Sequence, residues 1–139
     1  MNLLAKEYFS LQEISNIWAV SRDDLLYYGE NNILEISVRP AAIAAGIERV
    51  CYNTEFANYL TEGKRQHFSP QPLLPTDIYR IMKAGTNAVP VYHTKYRFHE
   101  KISDIIENKG IMLSYTDLVV TRAEKHCFEI NNGMCLNGR

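Results

Sequence analysis

The sequence has 139 residues, of which 46% are apolar and 22% charged, and its formal net charge is −1. These are ordinary values for a globular protein, and a chain of this length buries a substantial core within a single domain. No stretch approaches the roughly eighteen consecutive apolar residues of a membrane-spanning helix. The N-terminal residues lack the apolar run and small-residue cleavage site of a secretion signal. We therefore expect a cytoplasmic protein with no membrane partner.

The net charge hides an asymmetry between the two halves of the chain. Residues 1–62 contain four Lys or Arg and nine Asp or Glu, a net charge of −5, whereas residues 63–139 contain eleven and seven, a net charge of +4. Affinity for DNA comes largely from the neutralisation of phosphates by Lys and Arg. The first half of the chain is therefore the less suited to a DNA surface.

Residues that carry catalysis or bind metals show no recognisable pattern. Cys51, Cys127 and Cys135 are odd in number and follow no metal-ligand spacing, which is typical of reduced thiols in a cytoplasmic protein. The four histidines form no metal-binding motif, glycine-rich phosphate loops are absent, and the carboxylates are scattered. We expect no enzymatic activity, no metal and no cofactor.

The segment 8–39 begins with a predicted helix. Ser10 and Glu13 have capping-box spacing, in which the serine accepts from the helix start and the glutamate reaches back to the cap. Apolar residues then recur at helical spacing and form one face. Its members are Leu11, Ile14, Ile17 and Trp18. The helix is expected to end at the short break of Ala19 and Val20.

A second helix is predicted from Ser21, with two aspartates in its first turn, where the helix dipole favours negative charge. Leu25 and Leu26 supply its buried stripe, and Gly29 is placed to end it in a left-handed conformation. The alternation of residues 33–38 predicts a half-buried strand. Two short helices joined by a tight turn form a helix-turn-helix arrangement.

Two pieces of this chain resemble the MerR/excisionase-like winged-helix group. The run Leu11-Gln-Glu-Ile-Ser, then Val20-Ser-Arg-Asp-Asp-Leu-Leu-Tyr-Tyr28, matches the Glu, the Val-Ser turn and the Leu-x-Tyr-Tyr run of that group's first helix-turn-helix. More weakly, Asp117 to Glu129 resembles its returning strand and final helix. The resemblance covers Tyr8–Arg39 and Asp117–Glu129, about a third of the chain. It implies a DNA-binding regulator, either a transcription regulator or an excisionase of the mobile-element type.

The region between these two pieces is much longer than an ordinary wing. We expect one α+β domain in which residues 40–116 form an inserted α/β region and residues 117–131 a returning strand and C-terminal helix. The prolines between residues 70 and 75 exclude a regular element there. The remaining predictions are a helical turn or loop at 41–46, helices at 54–60, 77–83 (capped by Thr76) and 101–108, and strands at 47–52, 88–98 and 111–113.

Two candidate DNA-contacting groups follow from these elements. As a recognition helix, the second helix would place Arg22, Tyr27 and Tyr28 in the major groove. In the resembling group an arginine usually precedes the Tyr-Tyr pair, and here that position is Leu26. The predicted strand at 88–98 alternates basic and aromatic residues over positions 92–98. If this strand serves as the wing, it would supply Lys95 and Arg97 for phosphate contacts. The structural alternatives are a packed helix with tyrosines in the core or at a subunit interface, and an ordinary amphipathic strand.

Two functions therefore remain open. The leading hypothesis is a small regulatory protein that binds double-stranded DNA as a homodimer. The alternative is a protein–protein interaction module that retains the helix-turn-helix scaffold without DNA binding, since nine tyrosines would suit an interface. Exposure of Tyr27 and Tyr28 beside Lys95 and Arg97 would favour DNA, whereas burial in a subunit contact would favour the alternative. A small-molecule ligand is neither supported nor excluded.

Overall fold

The computed structural model describes residues 5–50, 69–95 and 107–134, with the backbone alone for residues 47–50. Helices and antiparallel strands both contribute, which confirms the predicted α+β class. The described strands are β1 (Tyr8–Ser10), β2 (Ser37–Val38), β3 (Gln71–Pro72), β4 (Val89–Val91), β5 (Ile111–Leu113) and β6 (Leu118–Thr121). The described helices are α1 (Leu11–Trp18), α2 (Arg22–Glu30), α3 (Pro40–Val50), α4 (Pro75–Ala84) and α5 (Arg122–Asn131), and a 3-10 turn spans Tyr115–Asp117.

The larger sheet joins two distant parts of the chain. Its strand order is β1-β6-β2-β3 with antiparallel pairing throughout, and Tyr8 lies opposite Thr121. Because side chains alternate between the two faces of a strand, Phe9 and Val120 share the face that carries the core. The strands β4 and β5 form a separate antiparallel pair. Because β1 and β6 are antiparallel, α1 begins beside the start of β6 and α5 begins beside the start of β1, where Arg122 N donates to Glu7 O.

One apolar core holds the described helices to this sheet. α2 packs closely against α4, and Gly29 lies at their contact, where an added Cβ would sit 2.6 Å from Ile36 Cδ1 and 3.0 Å from Ile78 Cγ2. Burial of such apolar area is the main favourable contribution to folding. Fully buried members of the core include Ile14, Leu25, Leu26, Leu34, Ile36, Ile43, Ile78, Ile81, Ile111 and Leu113.

The two predicted N-terminal helices and their caps are confirmed. Ser10 Oγ accepts from Glu13 N at 3.1 Å and Glu13 Oε1 accepts from Ser10 N at 3.1 Å, so the capping box is complete. Ser21 Oγ accepts from Asp24 N at 3.1 Å. Ala19 forms the turn between the helices in a left-handed conformation, with φ 55°. Whether this helix pair serves as a DNA-binding helix-turn-helix stays a prediction.

The expected end of α2 at Gly29 is wrong. The helix continues to Glu30, and Asn32 takes the left-handed conformation with φ 59°. Ile33 N donates to Tyr28 O at 2.8 Å and Asn32 N donates to Gly29 O at 3.2 Å, which is the hydrogen-bond pattern of a Schellman cap. Gly29 is therefore explained by close packing within the helix, and not by the turn.

Several of the predicted strands are shorter or absent. Within 33–38 only Ser37–Val38 is strand, and within the described part of 88–98 only Val89–Val91 is strand. Residues 41–50 lie in the helix α3, so the strand expected at 47–52 is wrong over 47–50. The proline at the first position of α3 explains this start, because its fixed φ suits a helix and its missing N–H is not needed there.

The proline-rich segment also departs from expectation. Gln71–Pro72 forms the short edge strand β3, where a proline is tolerated because one side of the strand needs no donor. α4 begins at Pro75 after Leu74, and no side chain caps it, so the cap predicted at Thr76 is wrong. The strand at 111–113 is confirmed. The helix at 54–60 and most of the helix at 101–108 lie outside the described residues.

Candidate functional site

Arg22, the first candidate DNA contact, is directed onto an aromatic ring. It is the first residue of α2, and its guanidinium carbon lies 3.9 Å from the centroid of the Tyr115 ring. Its Nε atom is 3.9 Å from a carboxylate oxygen of Asp23, and its side chain is 40% exposed. A guanidinium stacked in this way is stabilised by the ring and by the carboxylate together. Its charge is partly compensated within the protein.

The structure brings Tyr27 and Tyr28 together but gives them different surroundings. Their ring centroids are 6.3 Å apart with an interplanar angle of 65°. Tyr27 is 52% exposed, whereas Tyr28 is half-buried with its ring 5.8 Å from that of Phe128. The second tyrosine therefore contributes to packing between α2 and α5, and the first is available for a partner.

Carboxylates dominate the solvent-facing side of α2. Leu25 and Leu26 point into the core, so the opposite side of the helix faces water. This side, here named the acidic face, consists of Asp23, Asp24, Tyr27 and Glu30. The side chain of Asp23 is 78% exposed. Phosphates would be repelled by this arrangement, since the only basic residue of α2 is the stacked arginine described above.

Lys95, the candidate on the wing, is bonded to a carboxylate. Its Nζ donates to Glu35 Oε2 at 3.1 Å, and its backbone N donates to Pro72 O at 2.9 Å, beside the edge strand β3. The lysine side chain remains 46% exposed. Arg97 lies outside the described residues. Arg22 contacts the turn before β6, whereas Lys95 contacts the segment before β2, so the two cations serve different parts of the molecule.

The sequence interpretation missed a buried charged cluster, formed by Trp18, Lys125 and Glu129. Lys125 Nζ donates to Glu129 Oε2 at 2.6 Å, and Trp18 Nε1 donates to the same oxygen at 2.8 Å. Lys125 and Glu129 are each only 6% exposed. Burial opposes ionisation of Glu129, but the hydrogen bonds from Lys125 and Trp18 outweigh it, and the pKa of the carboxyl is lowered from its ordinary value.

This cluster joins α1 to α5. The rings of Trp18 and Phe128 stack with centroids 4.5 Å apart and an interplanar angle of 17°. In the sequence, Lys125 and Glu129 have the i, i+4 spacing of an ordinary exposed helix pair, which conceals their burial. Trp18 lies 111 residues from Glu129, so no local signal connects them.

The described residues show no group of three or more side chains suited to a metal ion. The described helices are all too short or too polar to cross a membrane. Comparison with protein-family models, with curated proteins and with solved structures found no match.

Proposed function

We propose that this protein is a small, non-enzymatic regulatory module that binds a basic protein partner through the acidic face of α2. The observation that supports the proposal is the composition of that face. Asp23, Asp24 and the half-buried Glu30 lie within one helical turn of the exposed Tyr27, while Arg22 is directed onto Tyr115. This is the protein–protein alternative of the two functions expected from the sequence.

Interface chemistry favours such a face. Tyrosine is enriched at protein interfaces, because its rigid ring buries area at a low entropy cost and its hydroxyl stays hydrogen-bonded. Carboxylates around it would steer a basic partner and select against an acidic one. The packing of Leu25 and Leu26 beneath the helix holds the face in place, so binding needs little rearrangement.

Double-stranded DNA is the second candidate partner. Two observations favour DNA as the partner. Segment 8–39 resembles excisionase-like proteins, and the Lys95 side chain is partly exposed. Contact would then have to come from the region of Lys95 and Arg97, with α2 directed away from the phosphates. In that case the protein would be a transcription regulator or an excisionase of a mobile element.

Two further properties belong to the proposal. We expect a cytoplasmic protein, because its cysteines have no disulfide or metal spacing. We also expect a homodimer, since regulatory proteins of this size commonly present two copies of a surface to a partner with two-fold symmetry. Sedimentation at several protein concentrations would measure the oligomeric state.

One binding experiment separates the two candidate partners. Fluorescence anisotropy is measured with a labelled arginine-rich peptide and with mixed-sequence duplex DNA, each at low and near-physiological salt. If the acidic face binds a basic partner, we expect the peptide to bind saturably and more weakly at higher salt, and the DNA not to bind. Replacing Asp23 and Asp24 by asparagine, or Tyr27 by alanine, should weaken peptide binding by about tenfold or more.

Matched controls locate the surface. A peptide with glutamine in place of each arginine tests the need for charge, and Glu107→Gln removes a carboxylate outside the acidic face. DNA binding at low salt that is lost in Lys95→Glu, without peptide binding, would overturn the proposal in favour of the DNA candidate. Binding of neither would reject both partners, because nonspecific electrostatic affinity for DNA does not require the target sequence.

A further inference from the structure

A cleft of about 630 Å³ runs along the start of α5. Pockets of this size commonly hold small organic molecules in proteins. The cleft lies apart from the acidic face of α2, and its charged lining residues come mainly from one side of a single helix. Its main lining residues are Glu7, Pro70, Arg122, Lys125, His126 and Glu129.

The inner wall of the cleft contains the buried ion pair. Glu129 Oε2 accepts from both Lys125 and Trp18, so the carboxylate is well satisfied. The Lys125 ammonium has three N–H groups, and one of them bonds to Glu129, while the nitrogen lies 5.5 Å from the centroid of the Phe9 ring. No second hydrogen-bond acceptor for it occurs among the described residues. The buried lysine therefore keeps donors for an oxygen inside the cleft.

The mouth of the cleft adds two basic side chains. Arg122 and His126 are one helical turn apart, and both are exposed. Neither forms an ion pair with any residue that the structure describes. The backbone donors of this first turn are largely used already, since Arg122 N donates to Glu7 O at 2.9 Å and Glu124 N donates to Thr121 Oγ1 at 3.2 Å. Recognition of a ligand therefore depends on the side chains and not on the helix end.

We propose that this cleft binds a small organic monocarboxylate, whose oxygens contact Lys125 and Arg122 and whose apolar body lies against Pro70 and Ala123. A ligand with a single negative charge suits the mixture of basic and acidic side chains that line the cleft. Glu129 offsets part of the charge of Lys125, and Glu7 lies at the mouth, so a dianion such as phosphate meets repulsion that a carboxylate largely avoids. Arginine also binds carboxylates with two parallel hydrogen bonds.

The test uses the intact chain and benzoate, a monocarboxylate with an apolar ring. Trp18 is the only tryptophan, and its indole N–H bonds to Glu129, so its fluorescence reports on the inner wall. We expect a saturable fluorescence change and a rise in melting temperature with benzoate, because a ligand that binds the folded state stabilises it. Benzyl alcohol, which has the same ring without the charge, should give neither response, and inorganic phosphate should bind more weakly.

Variants assign the response to the cleft. Arg122→Gln should weaken benzoate binding by about tenfold or more, the usual effect of losing a hydrogen bond to a charged group. Lys109→Gln removes one positive charge elsewhere on the surface and should leave binding unchanged. Both variants should keep the native circular dichroism spectrum, since both side chains are exposed.

Four results would overturn the proposal. They are the absence of both responses to benzoate, equal responses to benzyl alcohol, unchanged binding by folded Arg122→Gln, and tighter binding of phosphate than of benzoate. The experiment is independent of the proposed function, because the peptide measurement concerns α2, the DNA measurement concerns the region of Lys95, and neither of these regions lines the cleft.

Discussion

Two strand-to-helix units of this protein are built alike and are used differently. In the first, β1 runs into α1 through the cap Ser10, and in the second, β6 runs into α5 through the cap Thr121. Each cap is followed three residues later by a glutamate. Glu13 returns to its own cap, whereas Glu124 Oε2 accepts from Glu35 N at 3.0 Å. The same sequence pattern thus completes the cap of α1 in one unit, and in the other it forms a hydrogen bond between α5 and the segment before β2.

The two units also meet at equivalent positions. Trp18 and Glu129 each lie eight residues after the cap of their helix, and the indole N–H of one donates to the carboxylate of the other. The carboxylate of Glu13 is partly exposed and paired with Lys6, but that of Glu129 is buried. The contribution of a charged pair to stability therefore depends on its burial more than on its spacing in the sequence.

The largest expected effect comes from Glu129→Ala. The substitution leaves the Lys125 ammonium buried without its counterion and Trp18 Nε1 without its acceptor. We expect a loss of about 3–5 kcal/mol in the free energy of unfolding, measured by chemical denaturation. The double variant Lys125→Met/Glu129→Leu should lose clearly less, because no charge is left buried. An equal loss in both variants would show that the charge itself is unimportant.

Acid should affect the two glutamates unequally. The pKa values of Glu13 and Glu129 are both lowered in the folded state from the ordinary value of 4.5. Each carboxylate therefore stabilises the protein at pH values above 4.5, and this contribution is lost as the pH falls through the folded-state pKa. We expect stability to fall below about pH 4.5. The decline should be shallower in Lys125→Met/Glu129→Leu and less strongly affected in Glu13→Gln, because Glu13 is partly exposed and solvent screens its pairing with Lys6. Denaturation at a series of pH values makes this comparison.

Removal of the two glutamates that follow the caps tests their different partners. Glu124→Ala should cost about 1–3 kcal/mol, since it leaves the half-buried Glu35 N–H without a charged acceptor. Glu13→Ala should cost less, because its bonds to Ser10 and Lys6 are more accessible to water. Thermal and chemical denaturation would measure both, and a larger loss for Glu13→Ala would contradict this assignment.

The smallest effects are expected at the caps themselves. Ser10→Ala and Thr121→Ala should each cost about 1 kcal/mol, because each hydroxyl accepts one backbone N–H. Thr76→Ala is the matched control, since no side chain caps α4, and it should change the free energy of unfolding little. If Thr76→Ala were as destabilising as the other two, the assigned start of α4 would be wrong.

Features that depend on near neighbours in the sequence could be predicted. The caps at Ser10, Ser21 and Thr121 follow from a hydroxyl placed three residues before a free N–H, which is a local relation. The helix end at Gly29 could not, because both glycine and asparagine adopt the left-handed conformation. The packing of Ile36 and Ile78 against Gly29 explains the glycine inside the helix, and the left-handed conformation falls at Asn32.

Features that depend on contacts between distant residues could not be predicted from the sequence. The alternation of residues 33–38 indicated a long strand, yet β2 is limited by the short neighbours that pair with it. The burial of Lys125 and Glu129 arises only when Trp18 is brought to them. Of the candidate DNA contacts, Tyr27 is exposed, whereas the partial burial of Tyr28 and the contact of Arg22 with Tyr115 depend on residues far along the chain.

The pairing of β1 with β6 has a consequence for synthesis on the ribosome. The strand that pairs with β1 is synthesised more than a hundred residues after it, and Glu129 follows Trp18 by 111 residues. Closing so long a loop costs entropy before any contact is gained, so this step is expected to be slow. Until then Trp18 lacks its buried acceptor and β1 lacks its partner strand, and an unpaired strand edge of this kind favours aggregation.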